Sequence, residues 1–325
     1  MDIPAEELRK YASEFSPPPN EAVAAVSNQP TAEQPRKRLC IAVMAYDSKG
    51  YWRTFMSLMQ AVAKCGAQGW DVTYTLREGD SMVARGRSLL ASRFLLDPAL
   101  ADCTDLIMVD ADLYWDGDEF IRIMSHDVDV VAGAYPYKND QGNFPLRWLS
   151  TGVFEENGLW VVQAVTPGFL RIRRPALIRM VNELPWLAVR DDNDSGQMWM
   201  FFDNLARQNG VYDEGYVFCE RWRMVGGTVY LDPDLEFTHI GTKAFKHGTI
   251  RQWMDRKSTQ VADLNKKYPH VSPMTLFNKT MGKDVDLDKE EAEAVAKSTP
   301  AYALEGSELY VSGKPALSTP IEGIA

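Results

Sequence analysis

Residues 106–112 read Leu-Ile-Met-Val-Asp-Ala-Asp, an apolar run that ends in two acids separated by one alanine. Four consecutive apolar residues after a polar turn predict a strand that is buried on both faces of a sheet. Side chains two positions apart on a strand point to the same side, so Asp110 and Asp112 are expected to stand together where the strand leaves the core. Because adjacent like charges repel, the pair favours a hard divalent ion that also binds phosphate oxygens.

Strand and helix patterns alternate along the chain around this strand. Apolar runs typical of strands and helical spacings follow one another at 39–45, 52–65, 71–76, 80–96, 106–109, 116–124 and 128–134. This order predicts an α/β fold, with a mostly parallel, Rossmann-like sheet and helices on both faces. Later patterns are less regular and predict strands or helices at 160–172, 175–184, 216–225, 228–231 and 235–238.

The two ends of the chain differ from its middle. Residues 1–37 are rich in Pro, Ala, Glu, Ser and Gln, and we expect them to form a disordered or extended tail. Residues 38–255 are predicted to form the folded domain. Residues 256–325, where the periodic pattern weakens, are predicted to form a C-terminal extension.

Composition excludes some classes of protein. The formal net charge of −10 argues against a protein that coats nucleic acid nonspecifically. The apolar runs are far shorter than the roughly 20 residues that cross a bilayer, so no membrane partner is expected. The four cysteines form no Cys-x-x-Cys pair, which predicts reduced thiols and a cytoplasmic location. The oligomeric state is not readable from these patterns.

Four further segments accompany the acidic motif in a fixed order: Met44-Ala45-Tyr46-Asp47, residues 81–88, residues 213–223, and His239-Ile240-Gly241-Thr242. With them, residues 39–250 resemble the glycosyltransferases of the GT-A fold, and within these the family-2-like enzymes of phages and bacteria. The resemblance implies a GT-A-like catalytic domain that moves a sugar from a nucleotide-diphosphate donor to an acceptor hydroxyl. For a phage-encoded enzyme the location would be the host cytoplasm.

The resemblance also implies a metal site and a donor site. Asp112 and His239 would be direct metal ligands, and Asp110 would bridge the metal and the donor ribose. Carboxylate and phosphate oxygens suit Mg²⁺ or Mn²⁺, and an imidazole shifts the preference toward Mn²⁺. The other candidate donor-binding residues are Ala45, Tyr46, Asp47, Arg85, Arg87, Ala111, Lys243 and Lys246.

Some of these donor-side assignments have alternatives. Arg85 and Arg87 are two positions apart, so they do not share a helix face, and one of them is expected to make a structural ion pair instead. Lys243 and Lys246 lie in a glycine-containing loop, where they would either neutralise the diphosphate or be plain surface lysines.

An inverting transferase also needs a general base near the acceptor hydroxyl. Glu214 matches the glutamate of the family's Glu-Asp pair, but Gly215 stands in place of the aspartate and Asp213 precedes the glutamate. Glu214 and Asp213 are therefore both candidate bases, and the stereochemical outcome stays open. A purely structural alternative is that both acids complement the dipole of a helix start.

The acceptor side is the least specified part of the site. The resemblance points to Thr166 and Gly168, and aromatic residues that could line this side are Tyr114, Trp115, Tyr135, Tyr137 and Trp148. One candidate acceptor is a hydroxymethylated pyrimidine in phage DNA, and the alternative is a glycan or protein acceptor.

Two other functions remain open from the sequence. A nucleotidyltransferase also uses paired acids and a metal, although the glycine-rich phosphate loop usual in that class does not follow Asp47. A degenerate GT-A domain that serves as a non-enzymatic binding module is the second alternative.

Overall fold

A computed structural model describes residues 37–191, 196–207 and 210–298. Apart from Lys37, the predicted tail lies outside these ranges, as does the predicted extension from residue 299 onward. The chain divides into two compact units, the first ending at Asp255 and the second beginning at Arg256.

The secondary structure of the first unit surrounds the predicted buried strand, which is β3. The described strands, in chain order, are β1 (Arg38–Ala45), β2 (Asp71–Glu78), β3 (Asp105–Asp110), β4 (Leu113–Tyr114), β5 (Val130–Gly133), β6 (Leu146–Arg147), β7 (Phe154–Glu156), β8 (Leu159–Val161), β9 (Ala164–Val165), β10 (Phe169–Arg173), β11 (Ala188–Asp191), β12 (Gly196–Trp199), β13 (Leu205–Arg207), β14 (Gly210–Tyr212), β15 (Tyr230–Asp232), β16 (Thr238–Ile240) and β17 (Ala244–Phe245). The described α-helices are α1 (Trp52–Ala67), α2 (Val83–Leu96), α3 (Gly117–Ser125), α4 (Arg174–Glu183), α5 (Glu214–Met224), α6 (Ile250–Lys267), α7 (Pro273–Thr280) and α8 (Leu287–Ser298).

Eight strands form the central sheet in the order β2-β1-β3-β10-β5-β15-β8-β7. β1 pairs in parallel with β2 and β3, and β15 pairs in parallel with β5, whereas β10 and β8 run opposite to the other six strands. Helix α1 packs with α3, and α2 packs with α4 and with β1, β2 and β3. The predicted α/β fold, with a mostly parallel sheet flanked by helices, is confirmed.

The apolar run of β3 lies at the centre of the core. Leu106, Ile107, Met108 and Val109 have no exposed surface, as expected for a strand covered on both faces. Trp115 is also buried, and its ring packs 5.0 Å from that of Phe169. The prediction that Trp115 could line the acceptor side is therefore wrong, because this side chain fills the core.

Several predicted local structures differ in detail because their polar groups have other partners. The helix predicted at 80–96 begins at Val83, and the Asp80 carboxylate binds the guanidinium groups of Arg77 and Arg85. The helix predicted at 216–225 begins earlier, at Glu214, with Asp213 as its N-cap. The single strand predicted at 160–172 is three short strands, β8, β9 and β10, which join two different sheets.

The described part of the second unit is helical. Helices α7 and α8 and the C-terminal part of α6 enclose a small cluster of buried side chains, namely Tyr268, Val271, Leu276 and Leu287. Ser272 caps α7 by accepting a hydrogen bond from Thr275 N at 3.1 Å, and Pro273 occupies the first turn. Residue-level patterns in the sequence predict none of these helices. None of the helices that the structure describes has both the length and the apolar character needed to cross a membrane.

Glu119 on α3 gives the first unit a pH-dependent stability. Burial raises the pKa of Glu119 to about 7, from a model value of 4.5, and the nearby acids Asp232 and Glu236 add to this effect. Between these two pKa values the folded state binds a proton that the unfolded chain has released. Stability should therefore fall as the pH rises through this window.

Glu119→Gln should flatten this dependence because glutamine does not titrate. Denaturant unfolding at about pH 5 and about pH 7.5 measures the difference. Asp118→Asn is the matched control, since the Asp118 side chain is 81% exposed and ion-paired only with Lys64 in the described structure. An unchanged pH dependence in Glu119→Gln would show that other groups cause it.

Candidate functional site

The register of the strands brings the two halves of the predicted metal site together. Asp110 ends β3, and the next residue donates a hydrogen bond from its backbone N to Met44 O at 3.2 Å. The chain then turns into β4, which pairs antiparallel with β16 so that Leu113 lies opposite His239. Ile240 N donates to Asp112 O at 2.8 Å, which fixes the backbone of the motif to β16. His239 consequently lies beside Asp112 although 127 positions separate them.

The Asp112 and His239 side chains face each other with nothing suitable between them. His239 Nδ1 is 2.8 Å from Pro136 O, so this nitrogen carries the hydrogen and donates it. In the neutral ring, Nε2 then directs a lone pair toward Asp112 Oδ1, 3.5 Å away. Asp112 Oδ1 is buried and has no hydrogen-bond partner among the described residues. Two electron-pair donors in this arrangement fit a cation, and a backbone carbonyl that orients the imidazole is a common feature of metal sites.

A lysine that the sequence analysis missed occupies the other oxygen of this carboxylate. Lys138 Nζ lies 2.5 Å from Asp112 Oδ2. Burial raises the pKa of Asp112, but the hydrogen bonds and charges of His239 and Lys138 outweigh burial and lower it. Lys138 follows β5, whose carboxyl end lies at the same edge of the sheet as that of β3, and this position was the signal that could have revealed it.

Arg87 connects the motif to the candidate bases. The side chain is buried, with Nη2 2.5 Å from Asp110 Oδ1 and Nε 3.3 Å from Glu214 Oε1. Burial alone would lower the pKa of Arg87, but the charges of Asp110 and Glu214 raise it. Arg85 points elsewhere and binds Asp80 and Asp191, both at 2.6 Å. The two arginines thus occupy different faces of α2.

An open cleft of about 280 Å³ lies over these groups, at the carboxyl ends of β1 and β3. Its lining residues come from the β1 end, the start of α2, the acidic motif and two later loops: Met44, Ala45, Tyr46, Asp47, Lys49, Tyr51, Val83, Arg87, Asp110, Ala111, Asp112, Lys138 and His239. The candidate donor and metal residues at 45–47, 87, 110–112 and 239 therefore share one cavity.

Other candidate donor residues lie apart from this cleft. Lys243 Nζ binds Asp140 at 2.5 Å, and Lys246 Nζ binds Glu236 at 3.0 Å. Neither lysine lines the cleft, and nor does Arg85. The cations that do line it are Lys49, Arg87 and Lys138.

The two candidate bases stand at the start of α5. Asp213 Oδ1 accepts a hydrogen bond from Tyr216 N at 3.0 Å, and burial raises the pKa of Asp213. A Cβ at Gly215 would approach Pro167 Cδ to 2.5 Å and Val165 O to 2.7 Å. Contact with this loop excludes a side chain at position 215, which explains why the family's Glu-Asp pair is altered here.

The candidate acceptor residues fall into two places. A Cβ at Gly168 would come within 2.4 Å of both Asp110 Oδ2 and the Tyr135 hydroxyl, so only glycine leaves room for the motif acid. Thr166 forms a hydrogen bond with the buried Tyr135 hydroxyl. Trp148 lies apart from the cleft and packs on Trp160 at a ring distance of 5.9 Å.

In the part of the chain that the structure describes, no three or more His, Cys, Asp or Glu side chains form a ready metal site. A site with two protein ligands still suits Mg²⁺ or Mn²⁺, because these ions are commonly bound through one or two carboxylates plus substrate phosphates. The donor set of Asp112 and His239 thus fits a metal that arrives with a phosphorylated ligand.

No protein-family model matches the chain, and no curated protein matches it at a significant level. Solved structures with a similar fold include A197 from STIV, with 18% identity, coverage of 65% of this chain and 90% of that chain, and a TM-score of 0.40. A mutant of the Drosophila β-1,4-galactosyltransferase 7 in complex with manganese, UDP-Gal and xylobiose has 14% identity, coverage of 68% and 79%, and a TM-score of 0.36. A glycosyltransferase involved in the glycosylation of the major capsid of PBCV-1 has 10% identity, coverage of 45% and 66%, and a TM-score of 0.24.

Proposed function

We propose that this protein is a metal-dependent glycosyltransferase that uses a nucleotide-diphosphate sugar. The observation that supports this most strongly is the orphaned Asp112 Oδ1 facing His239 Nε2 inside a cleft at the carboxyl ends of parallel strands. A cation bound there would be open on its cleft side to the oxygens of a diphosphate. The resemblance of the surrounding segments to GT-A enzymes favours a sugar donor over other diphosphates.

Each group in the cleft has a role in this proposal. Asp112 and His239 would hold Mn²⁺ or Mg²⁺, which supplies Lewis-acid stabilisation of the departing diphosphate when bound. Asp110, fixed by Arg87, would orient the donor ribose. Lys138 stands where its charge can move from Asp112 to a phosphate oxygen.

Glu214 is the general base in this proposal. Arg87 holds Glu214 and Asp110 at once, so the Glu214 carboxylate lies one guanidinium away from the motif. Asp213 instead uses one carboxylate oxygen to cap α5. The acceptor is a hydroxyl compound, and a hydroxymethylated pyrimidine in DNA stays a prediction, as does the cytoplasmic location.

The products distinguish this function from nucleotidyl transfer. Incubation with Mn²⁺ and a panel of UDP-, GDP-, CMP- and dTDP-sugars should release the nucleotide together with free or transferred sugar. Release of pyrophosphate from a nucleoside triphosphate and a sugar phosphate would instead support a nucleotidyltransferase. Absence of both reactions, with nucleotide binding retained, would support a binding module.

Two isosteric variants identify the base. Glu214→Gln should reduce transfer at least about 100-fold, which is the usual effect of removing a general base. Asp213→Asn should keep most of the activity, because asparagine also caps helices well. Nucleotide binding, measured by titration calorimetry, should persist in both variants. If Asp213→Asn loses the activity and Glu214→Gln keeps it, Asp213 is the base.

Lys138→Met should increase the affinity for Mn²⁺ measured without nucleotide, by about fivefold or about 1 kcal/mol. The Lys138 ammonium neutralises Asp112 in the free protein and repels an incoming cation. Electron paramagnetic resonance of free Mn²⁺ measures the change. Lys243→Met, which removes an exposed pair with Asp140, is the matched control. Weaker Mn²⁺ binding in Lys138→Met would contradict this role of the lysine.

A further inference from the structure

β2 forms one edge of the central sheet, and β1 is its one partner strand among the described residues. The β1–β2 register runs from Asp71 to Glu78 without a bulge, and β2 contains neither proline nor lysine. Bulges, prolines and lysines are the devices that commonly prevent an edge strand from pairing with another chain. An eight-residue edge without them is a template for a further strand.

Apolar side chains are exposed along this edge. Tyr74 is 78% exposed and Leu76 is 49% exposed. Both lie on the same face of β2 as Val72, which packs against the core cluster that includes part of α1. The exposed part of β2 therefore continues the face of the sheet that α1 covers.

Helix α1 extends this apolar surface. Lys64, on one flank of the helix, binds Asp118 on α3. At helical spacing, Phe55 and Val62 fall on the opposite flank, which is the flank nearer β2. Both are exposed, as are the neighbouring apolar side chains of α1, namely Trp52, Met56 and Met59.

The sequence of β2 complements a second copy of itself. An antiparallel pair of identical strands has a two-fold axis that passes through one residue, because facing side chains must lie on the same face of the sheet. With the axis at Tyr74, Asp71 faces Arg77, Val72 faces Leu76, and Thr73 faces Thr75. The equally long register centred on Thr75 would place Glu78 opposite Val72. Charge and apolar matching thus select Tyr74.

We propose that this chain forms a homodimer in which β2 strands of two copies pair antiparallel about Tyr74. The apolar flanks of the two α1 helices would then lie on the same face of the joined sheet, on either side of the axis. Arg77 is held by Asp80 of its own chain, with Nη2 3.0 Å from Oδ2, so its charge stays fixed near the edge that Asp71 of the other copy would approach.

Light scattering on the full chain tests this proposal. The wild type should have twice the mass of one chain at tens of micromolar. Tyr74→Lys should raise the dimer dissociation constant at least about 100-fold, because two ammonium groups would meet at the axis. Met224→Lys, at a 61% exposed methionine outside the patch, should remain dimeric. A monomeric wild type, including one in which residues 1–36 cover β2, would overturn the proposal, and so would a dimeric Tyr74→Lys.

Disulfide cross-linking tests the register separately. All four native cysteines are buried, so an introduced cysteine reports on this surface alone. Tyr74→Cys should give a disulfide-linked dimer under mild oxidation. In Glu78→Cys the two thiols would be about 26 Å apart along the strands, and the chain should not cross-link. Cross-linking through position 78 and not through position 74 would show that the proposed register is wrong.

Discussion

Replacing Asp112 with asparagine should reduce sugar transfer at least about 1000-fold, because the substitution removes a metal ligand and its charge. The Asp112 side chain contributes one orphaned oxygen beside His239 and one oxygen bound to Lys138. Asparagine keeps the shape but directs either an amide oxygen or an amine toward the cation. The loss should appear equally in transfer and in donor hydrolysis, since both need the departing diphosphate to be neutralised.

The fold should survive this substitution. The backbone oxygen of Asp112, rather than its side chain, accepts the hydrogen bond from Ile240 that joins the motif to β16. A thermal unfolding curve close to that of the wild type is therefore expected alongside the loss of activity. Asp118→Asn is the control, because that acid is exposed and far from the cleft lining. Wild-type turnover in Asp112→Asn would refute the metal role.

Arg87→Met should both destabilise the protein and abolish transfer. The side chains of Asp110 and Glu214 are only 20% and 18% exposed, and both depend on this guanidinium for an opposite charge. Removing one partner of a buried ion pair typically costs about 3–5 kcal/mol, because the remaining charge is left uncompensated. The midpoint of denaturant unfolding should fall accordingly.

The pH dependence of this defect identifies its cause. Without Arg87, the pKa values of Asp110 and Glu214 should rise, so protonation would relieve the repulsion at low pH. The stability deficit should therefore be smaller at about pH 5 than at about pH 8. Arg85→Met is the matched control for stability, because Asp80 still has Arg77 as a partner in that variant. A deficit of equal size at both pH values would indicate lost packing instead.

The sequence predicts the centre of this fold well because the signals there are local. A four-residue apolar run bounded by acids is sufficient to identify β3, and alternating periodicities identify the helices on either side. The ends of the helices are less predictable. Asp80 could cap a helix or bind arginines, and only the three-dimensional positions of Arg77 and Arg85 decide between these roles.

The site depends on contacts that are distant in sequence. The pairing of β4 with β16 brings His239 to Asp112, and no local pattern indicates that pairing. The resemblance proposed this partner, whereas Lys138, which no motif marks, was missed. Gly215 shows the reverse case: the sequence reveals the departure from the family pattern, and the contact with Val165 and Pro167 explains it.

Manganese binding tests the central claim most directly. In the presence of a nucleoside diphosphate, the wild type should bind one Mn²⁺ per chain, measured as loss of the free-ion signal in electron paramagnetic resonance. His239→Ala should weaken that binding about 100-fold, because the imidazole is one of two protein ligands. His270→Ala, at an exposed histidine, should bind as the wild type does. Equal Mn²⁺ affinity in His239→Ala and the wild type would contradict a metal held between Asp112 and His239.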